Sequence, residues 1–151
     1  MNPIGEVNVL RGIPGSGKSY LAEQRWPSAT TCSADHYFVG PDGRYAFDPR
    51  GLQAAHNQCL RNFNAAVQRG DPVIVVDNTN VHDWEIAPYA ALALAYGYKL
   101  TVVTVVCSVE IAHERNRHGV PIATVRKMAH ELTWKTLPRH WNQTAIGIEG
   151  T

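Results

Sequence analysis

The sequence predicts an α/β fold, a three-layer sandwich built on a mostly parallel sheet, and three observations predict it. The runs VIVV at 73–76 and LTVVTVV at 100–106 are β-branched with no polar alternation, the pattern of strands covered on both faces. Stretches of helical periodicity separate the strand candidates, and each crossover is long enough to be right-handed. The apolar segment EVNVLR at 6–11 runs through a glycine-rich turn into KSYLAEQRW, giving strand, loop and helix in succession.

In order along the chain, residues 6–11 make the first strand, and Tyr20, Leu21 and Trp26 are placed to share one face of the first helix. Thr30 to Cys32 forms a second short strand. PDGRYAFDP carries two proline turns around Asp42 and Gly43, which predicts a surface loop or hairpin. A helix from near Pro49 to Arg69 ends at Gly70, with Pro72 just beyond. VIVV then supplies an interior strand. Asn80 is expected to cap the next helix, with Asp83 near its positive end, and that helix carries Trp84, Ile86, Tyr89, Ala90 and Leu94 toward Gly97. After the strand at 100–106, Ser108 caps a helix beginning VEIAHER, and a last helix runs from about Ile122 to Lys135. The tail after Pro138, with Trp141 and Ile146 to Ile148, either packs back or frays.

A chain of 151 residues with 44% hydrophobic content is sized for one domain, 1–151, with a real core. It has no apolar run of bilayer length and no signal-peptide pattern at its start, so a soluble, intracellular, cytoplasmic protein without a membrane partner is expected. The three cysteines, Cys32, Cys59 and Cys107, lie far apart and read as reduced thiols. The seven histidines form no HExxH pattern. A net charge of +1 excludes a domain that coats nucleic acid through a large uniform field. Charge is nevertheless concentrated: from His113 to His140, six basic residues (Arg115, Arg117, Arg126, Lys127, Lys135 and Arg139) face two acidic ones, which in isolation reads as the solvated faces of two helices.

Gly12-Ile13-Pro14-Gly15-Ser16-Gly17-Lys18-Ser19 fits the Walker A pattern, placed between an apolar strand and a helix as the pattern requires. Its glycines let backbone N–H groups point inward, and the helix N-terminus adds partial positive charge, so the segment with Tyr20 behind it is built to bind a nucleotide's phosphates. Lys18 is expected at the β- and γ-phosphates and the Ser19 hydroxyl on Mg²⁺. No guanine-reading segment occurs, so ATP is the expected nucleotide. The strand VIVVD ends in Asp77, a second carboxyl-edge ligand for the metal, or alternatively a turn former ahead of Asn78. Asp35 follows the second strand and opens onto the same edge, where a carboxylate can take the proton of an attacking hydroxyl; its plainer reading is a turn or helix cap.

Taken together, GIPGSGKS, SADHYF, DNTN at 77–80 and ERNRHGVPIATVRKM at 114–128 resemble the 5′-kinase domain of phage polynucleotide kinase. With DGRYAFDP and AAHNQ included, they look closer still to the kinase-like P-loop domains of the NEDD4-binding-protein group. The resemblance covers Val9 to about Trp134 and implies a P-loop kinase-type fold with a short arginine-bearing lid. It also implies transfer of the γ-phosphoryl group of ATP to the 5′-hydroxyl end of DNA or RNA. On that resemblance Lys18 and Ser19 serve the nucleotide and Mg²⁺, Asp35 is the general base, and Asp77, Thr79 and Asn80 line the site. Arg115 or Arg117, in RNRHGVP, would stabilise charge on the transferred phosphate.

The sequence also departs from the phage pattern. Where the phage enzyme has an arginine three residues after the base, this chain has Phe38, whose ring is expected to stack on an acceptor base. Arg44, with Tyr45, Phe47 and Arg50, adds the cation and aromatic mixture of single-strand binders, although Tyr45 and Phe47 at period two equally fit a packed hairpin. The appended phosphatase motif of the phage enzyme is absent from the sequence, so phosphatase activity is not expected. Three readings stand: a polynucleotide 5′-kinase, a P-loop kinase of a nucleoside or other small hydroxyl compound, and a non-catalytic nucleotide-binding module.

Overall fold

In the computed structural model, which describes residues 2–147, five parallel strands form one sheet in the order β2-β3-β1-β4-β5. These are β1 (Glu6–Arg11), β2 (Thr30–Cys32), β3 (Val73–Asp77), β4 (Lys99–Val106) and β5 (Gln143–Gly147). The helices are α1 (Lys18–Arg25), α2 (Leu52–Arg69), α3 (Asp83–Ala95), α4 (Val109–Arg115) and α5 (Ile122–Trp134). The α/β expectation and the parallel sheet are therefore realised.

Alternation along the strands divides the core in two, as the period of a strand demands. On one face Val7, Val9, Ile74, Val76 and Val102 pack against Cys59 and Phe63 of α2 and Ile86 and Tyr89 of α3. On the other, Leu10, Val75, Val103 and Val105 pack against Leu21 and Ala22 of α1, with Trp26 at the margin. Covering β3 and β4 on both faces is what their unbroken apolar sequence required. The α2 helix ends as expected at Gly70, whose φ of 77° lies in the left-handed region.

Several local expectations are corrected. Tyr20 does not join Leu21 in the core but stands half exposed on α1. Asn80 does not cap α3. That position belongs to His82, whose backbone N–H donates to the Glu85 carboxylate at 3.1 Å, and Asp83 is the first helical residue. Trp84 and Leu94 face solvent, 69% and 80% exposed, while Ala93 takes a core position; Trp84 instead stacks on His82, with ring centroids 5.5 Å apart. The tail past Pro138 packs back: β5 pairs with β4 from Val102 opposite Gln143 to Val106 opposite Gly147. Ile146 rests on the second core face, and Ile148 lies outside the described residues. Among the described residues no helix is long and apolar enough to cross a membrane, and the three cysteines are free thiols.

Phe63 is fully buried at the centre of the larger core and meets Tyr89 edge to face at 5.0 Å. Phe63→Ala is expected to cost about 3–5 kcal/mol, read as a lower urea midpoint at unchanged slope.

Candidate functional site

The carboxyl ends of three strands are level. Leu10 of β1 lies opposite Asp77, and Cys32 of β2 lies opposite Val76. The segments that follow them therefore converge at one edge, the side on which open parallel sheets bind ligands.

The first segment is the glycine turn. Gly15 and Gly17 have φ of 82° and 101°, a region that residues with a Cβ avoid. A Cβ on Gly12 would lie 2.8 Å from Ser16 Oγ, and one on Gly15 would collide with the Ala112 carbonyl of α4. The turn closes around a cluster of donors. The Lys18 amine donates to the carbonyls of Gly12 (3.1 Å) and Ile13 (3.0 Å), and Ser16 Oγ is buried with no hydrogen-bond partner. Burial pushes the Lys18 amine below the ordinary lysine value, while Asp77, then Asp35 and Cys107, pull it back up. A buried cation held by loop carbonyls and a buried hydroxyl with nothing to bond fit a phosphate group, which would supply acceptors to both.

The second segment begins at Asp77, whose carboxylate accepts from Ser19 Oγ at 2.6 Å. This pairing places two hard oxygen ligands side by side at the mouth of the turn. Mg²⁺ takes such a small protein share and completes its octahedron with water and substrate phosphate, so the donor set fits that ion.

Beyond Asp77, residues 78–81 act as a clip. Asn78 Oδ1 accepts from Ala34 N at 2.9 Å, and Thr79 O accepts from Gly12 N at 3.0 Å. Asn80, at φ 47°, donates from Nδ2 to Leu10 O at 2.8 Å. The buried Arg11 guanidinium donates through Nε to Asn80 O (3.1 Å) and through Nη2 to Val81 O (2.7 Å). Burial lowers the Arg11 pKa, with Glu85 opposing that shift. Asn80 is thus a buried brace, not an open substrate contact as expected, because its amide is consumed by the end of β1.

The third segment is the turn Ala34–Phe38, capped by Ser33, whose hydroxyl accepts from Asp35 N at 3.2 Å. The Asp35 side chain is 51% exposed. Its Oδ1 accepts from Tyr45 OH at 3.2 Å, and its Oδ2 lies 3.4 Å from His118 Nδ1. Burial, reinforced by Asp35, pushes the Tyr45 phenol up to about 12. Phe38 is only 7% exposed, enclosed by Ala34, Ala55 and Tyr45, so it has no free face for an acceptor base; the expected stacking role is corrected on that ground. Arg44 is out in solvent beside Asp42, at 3.6 Å, a surface pair of small energetic weight. Val39 bridges antiparallel to Tyr45, which makes this stretch the packed hairpin that its period-two aromatics allowed.

The segment expected to form the lid begins with α4, which docks on the glycine turn through Ala112 against Ile13 and Val125. Arg115 ends the helix and Arg117 follows in the exposed turn; neither forms an ion pair among the described residues. Sequence reasoning missed Asn78, Arg11 and His118 as site residues, and it left Tyr45 between a single-strand contact and a packed hairpin. The first sat unassigned inside DNTN, and the last two lay inside stretches already singled out. No spacing rule joins them to Asp35, because their contacts are made only by the folded chain.

Two measurements check this geometry. Arg11→Ala leaves the Asn80 and Val81 carbonyls without their buried donor and is expected to cost about 3 kcal/mol of stability; Arg11→Lys, lacking the planar fork, restores only a minor part. Because the folded Tyr45 pKa is raised, the contribution of its neutral phenol is complete below the unfolded value near pH 10 and is lost as pH rises through about 12. A phenolate absorbance titration against Tyr45→Phe should show that group still protonated at about pH 11, and Asp35→Asn should lower its midpoint partway.

Comparison with known proteins adds four likenesses. The profile of the family described as AAA domain matches residues 7–140. NEDD4-binding protein 2 of Homo sapiens is 40% identical over 95 residues, covering 61% of this chain and 5% of the relative, so the chain spans a small fraction of that protein's length. Among solved structures, the Pnkp1/Rnl/Hen1 RNA repair complex contains a chain of TM-score 0.72 at 16% identity, covering 89% of this chain and 46% of that one. The Mycobacterium tuberculosis APS kinase CysC, in complex with AMPPNP and APS, gives a TM-score of 0.63 at 20% identity, covering 99% of this chain and 91% of its own. At these identities the structural likenesses speak for the fold, which is that of P-loop kinases.

Proposed function

The chain belongs to the AAA-domain family matched over residues 7–140, and we propose that it is an ATP-dependent phosphotransferase moving the γ-phosphoryl group of ATP to the 5′-hydroxyl end of DNA or RNA. The observation that carries the proposal is the meeting of Lys18, Ser19, Asp77 and Asp35 at one sheet edge, with the two carboxylates near enough to oppose the lowering of the Lys18 pKa by burial.

In this reading Gly12 to Ser19 hold the nucleotide's phosphates, and Lys18 exchanges its loop carbonyls for phosphate oxygens. Tyr20 stands half exposed on α1 directly behind that cradle. Ser19 and Asp77 hold Mg²⁺, which when bound supplies charge neutralisation to the phosphates. Asp35 accepts the proton of the acceptor hydroxyl as its oxygen forms a bond to the γ-phosphorus; the bond from that phosphorus to the bridging oxygen breaks, ADP departs with the electron pair, and Asp35 returns its proton to solvent. Arg115 or Arg117 offsets the charge spread over the equatorial oxygens. Thr79 shapes the floor through its carbonyl.

The acceptor side supports a polymer end over a walled-in small molecule. Tyr37 and Phe47 are half exposed there, and Arg44 and Arg50 extend into solvent, leaving room for a strand to leave the site.

The test is transfer from γ-labelled ATP with Mg²⁺ to 5′-hydroxyl oligonucleotides, nucleosides and other small alcohols. Label on oligonucleotides is expected, reduced about 10²–10³-fold by Lys18→Ala and about 10²–10⁴-fold by Asp35→Asn. Label confined to small alcohols would replace the acceptor, and nucleotide binding without transfer would replace the enzyme by a binding module.

A further inference from the structure

Beside the Asp35 carboxylate stands an aromatic stack to which phosphoryl transfer assigns no task. The Tyr45 and His118 rings lie 4.2 Å apart at an interplanar angle of 20°. Both also reach Asp35, Tyr45 through its hydroxyl and His118 through Nδ1.

The two rings are held very differently. Tyr45 belongs to the wall: its hydroxyl is bonded to Asp35, its backbone bridges to Val39, and its ring edge rests on the buried Phe38 at 6.2 Å. His118 is a cover. Its side chain is 42% exposed and it rides on the lid turn, where Asn116 accepts from His118 N (3.0 Å) and donates to Val120 O (3.1 Å). Turning the His118 side chain aside would uncover one face of Tyr45.

That face already receives a planar heteroaromatic ring. A nucleobase has the same character, and base–aromatic stacking tolerates any base because each has a π-face. In a nucleoside a single sugar ring separates the 5′-hydroxyl from the base; here a single phenol separates Asp35 from the stacking face. An acceptor with its hydroxyl on Asp35 therefore carries its own base over Tyr45. Tyr37 and Phe47, by contrast, meet Phe38 edge to face at 5.3 and 5.1 Å and make no hydrogen bond to Asp35.

We infer that Tyr45 is the stacking platform for the nucleobase adjoining the acceptor hydroxyl, and that His118 occupies this platform until the base displaces it. The inference rests on the phosphotransferase reading and narrows its acceptor to a base-bearing alcohol. Tyr45 thereby inherits the role that the sequence had assigned to Phe38.

The test uses the full chain and 5′-hydroxyl trinucleotides whose first residue is normal, abasic or 2-aminopurine, together with free nucleosides. Removing the first base is expected to raise the acceptor KM about tenfold or more, the contribution of one stacked base, and 2-aminopurine fluorescence should be quenched on binding. Relative to Tyr45→Phe, which shares the loss of the hydrogen bond to Asp35, Tyr45→Leu should abolish the quench and raise KM for normal ends by about the same factor, with the two variants alike on abasic ends. Tyr45→Phe should keep the quench, and His118→Ala should lower KM for normal ends. Nucleosides used as well as trinucleotides would agree with the inference and assign a small acceptor. Equal use of normal and abasic ends by the wild-type chain would overturn it, whatever the folding of the leucine variant, and so would a leucine variant that falls below the phenylalanine variant by the same factor on both ends. A Tyr45-dependent quench without transfer to any alcohol would retain the platform and remove the phosphotransferase reading. Transfer without a quench or a base preference would do the reverse.

Discussion

Residues 78–81 hold the site together, because their hydrogen bonds tie the glycine turn, the end of β1 and the Asp35 turn into one frame. The contacts are backbone-directed: Gly12 N to Thr79 O, Asn80 Nδ2 to Leu10 O, Ala34 N to Asn78 Oδ1, and the Arg11 fork to two carbonyls. Such bonds are worth little singly, but each one buried is costly to leave unmade. The loop therefore has one arrangement, and three segments distant in sequence inherit their positions from it. A left-handed Asn80 is the local cost of that geometry.

Electrostatics at this edge is arranged around an incomplete set of partners. The Lys18 cation is buried against loop carbonyls, with two carboxylates near enough to favour its charge. Ser16 keeps a buried hydroxyl without an acceptor. In a low-dielectric pocket such groups favour an anion strongly, and the docked lid helix roofs the same turn through Ile13 and Ala112. The glycine turn and α4 therefore share one packed surface.

The acceptor side depends on a different kind of contact. Asp35 is turned outward, and its two oxygens are met by groups from a hairpin and from the lid. On the proposed reading, a carboxylate engaged in this way would be oriented before an alcohol arrives, the preorganisation from which proton transfer benefits. On the proposed reading, Arg115 at the end of α4 and Arg117 and His118 in the turn after it would couple the phosphate and acceptor halves of the site.

The sequence by itself determined the alternation of strands and helices, the parallel sheet and the glycine turn, because strand burial, crossover length and left-handed glycine positions are local rules that residue type obeys. It also placed Lys18, Ser19, Asp35 and Asp77 at the carboxyl edge, since each ends a strand or lies in the segment that leads away from one. Only the tertiary structure decided that the weakly patterned QTAIG at 143–147 becomes an edge strand, since the free side of β4 supplies its partners. It alone buried Phe38, turned Asn80 inward, closed Arg11 onto the clip and brought His118 to Tyr45 and Asp35. Those outcomes depend on which segments meet across the fold, and a side chain's own neighbours in the chain carry no trace of that meeting.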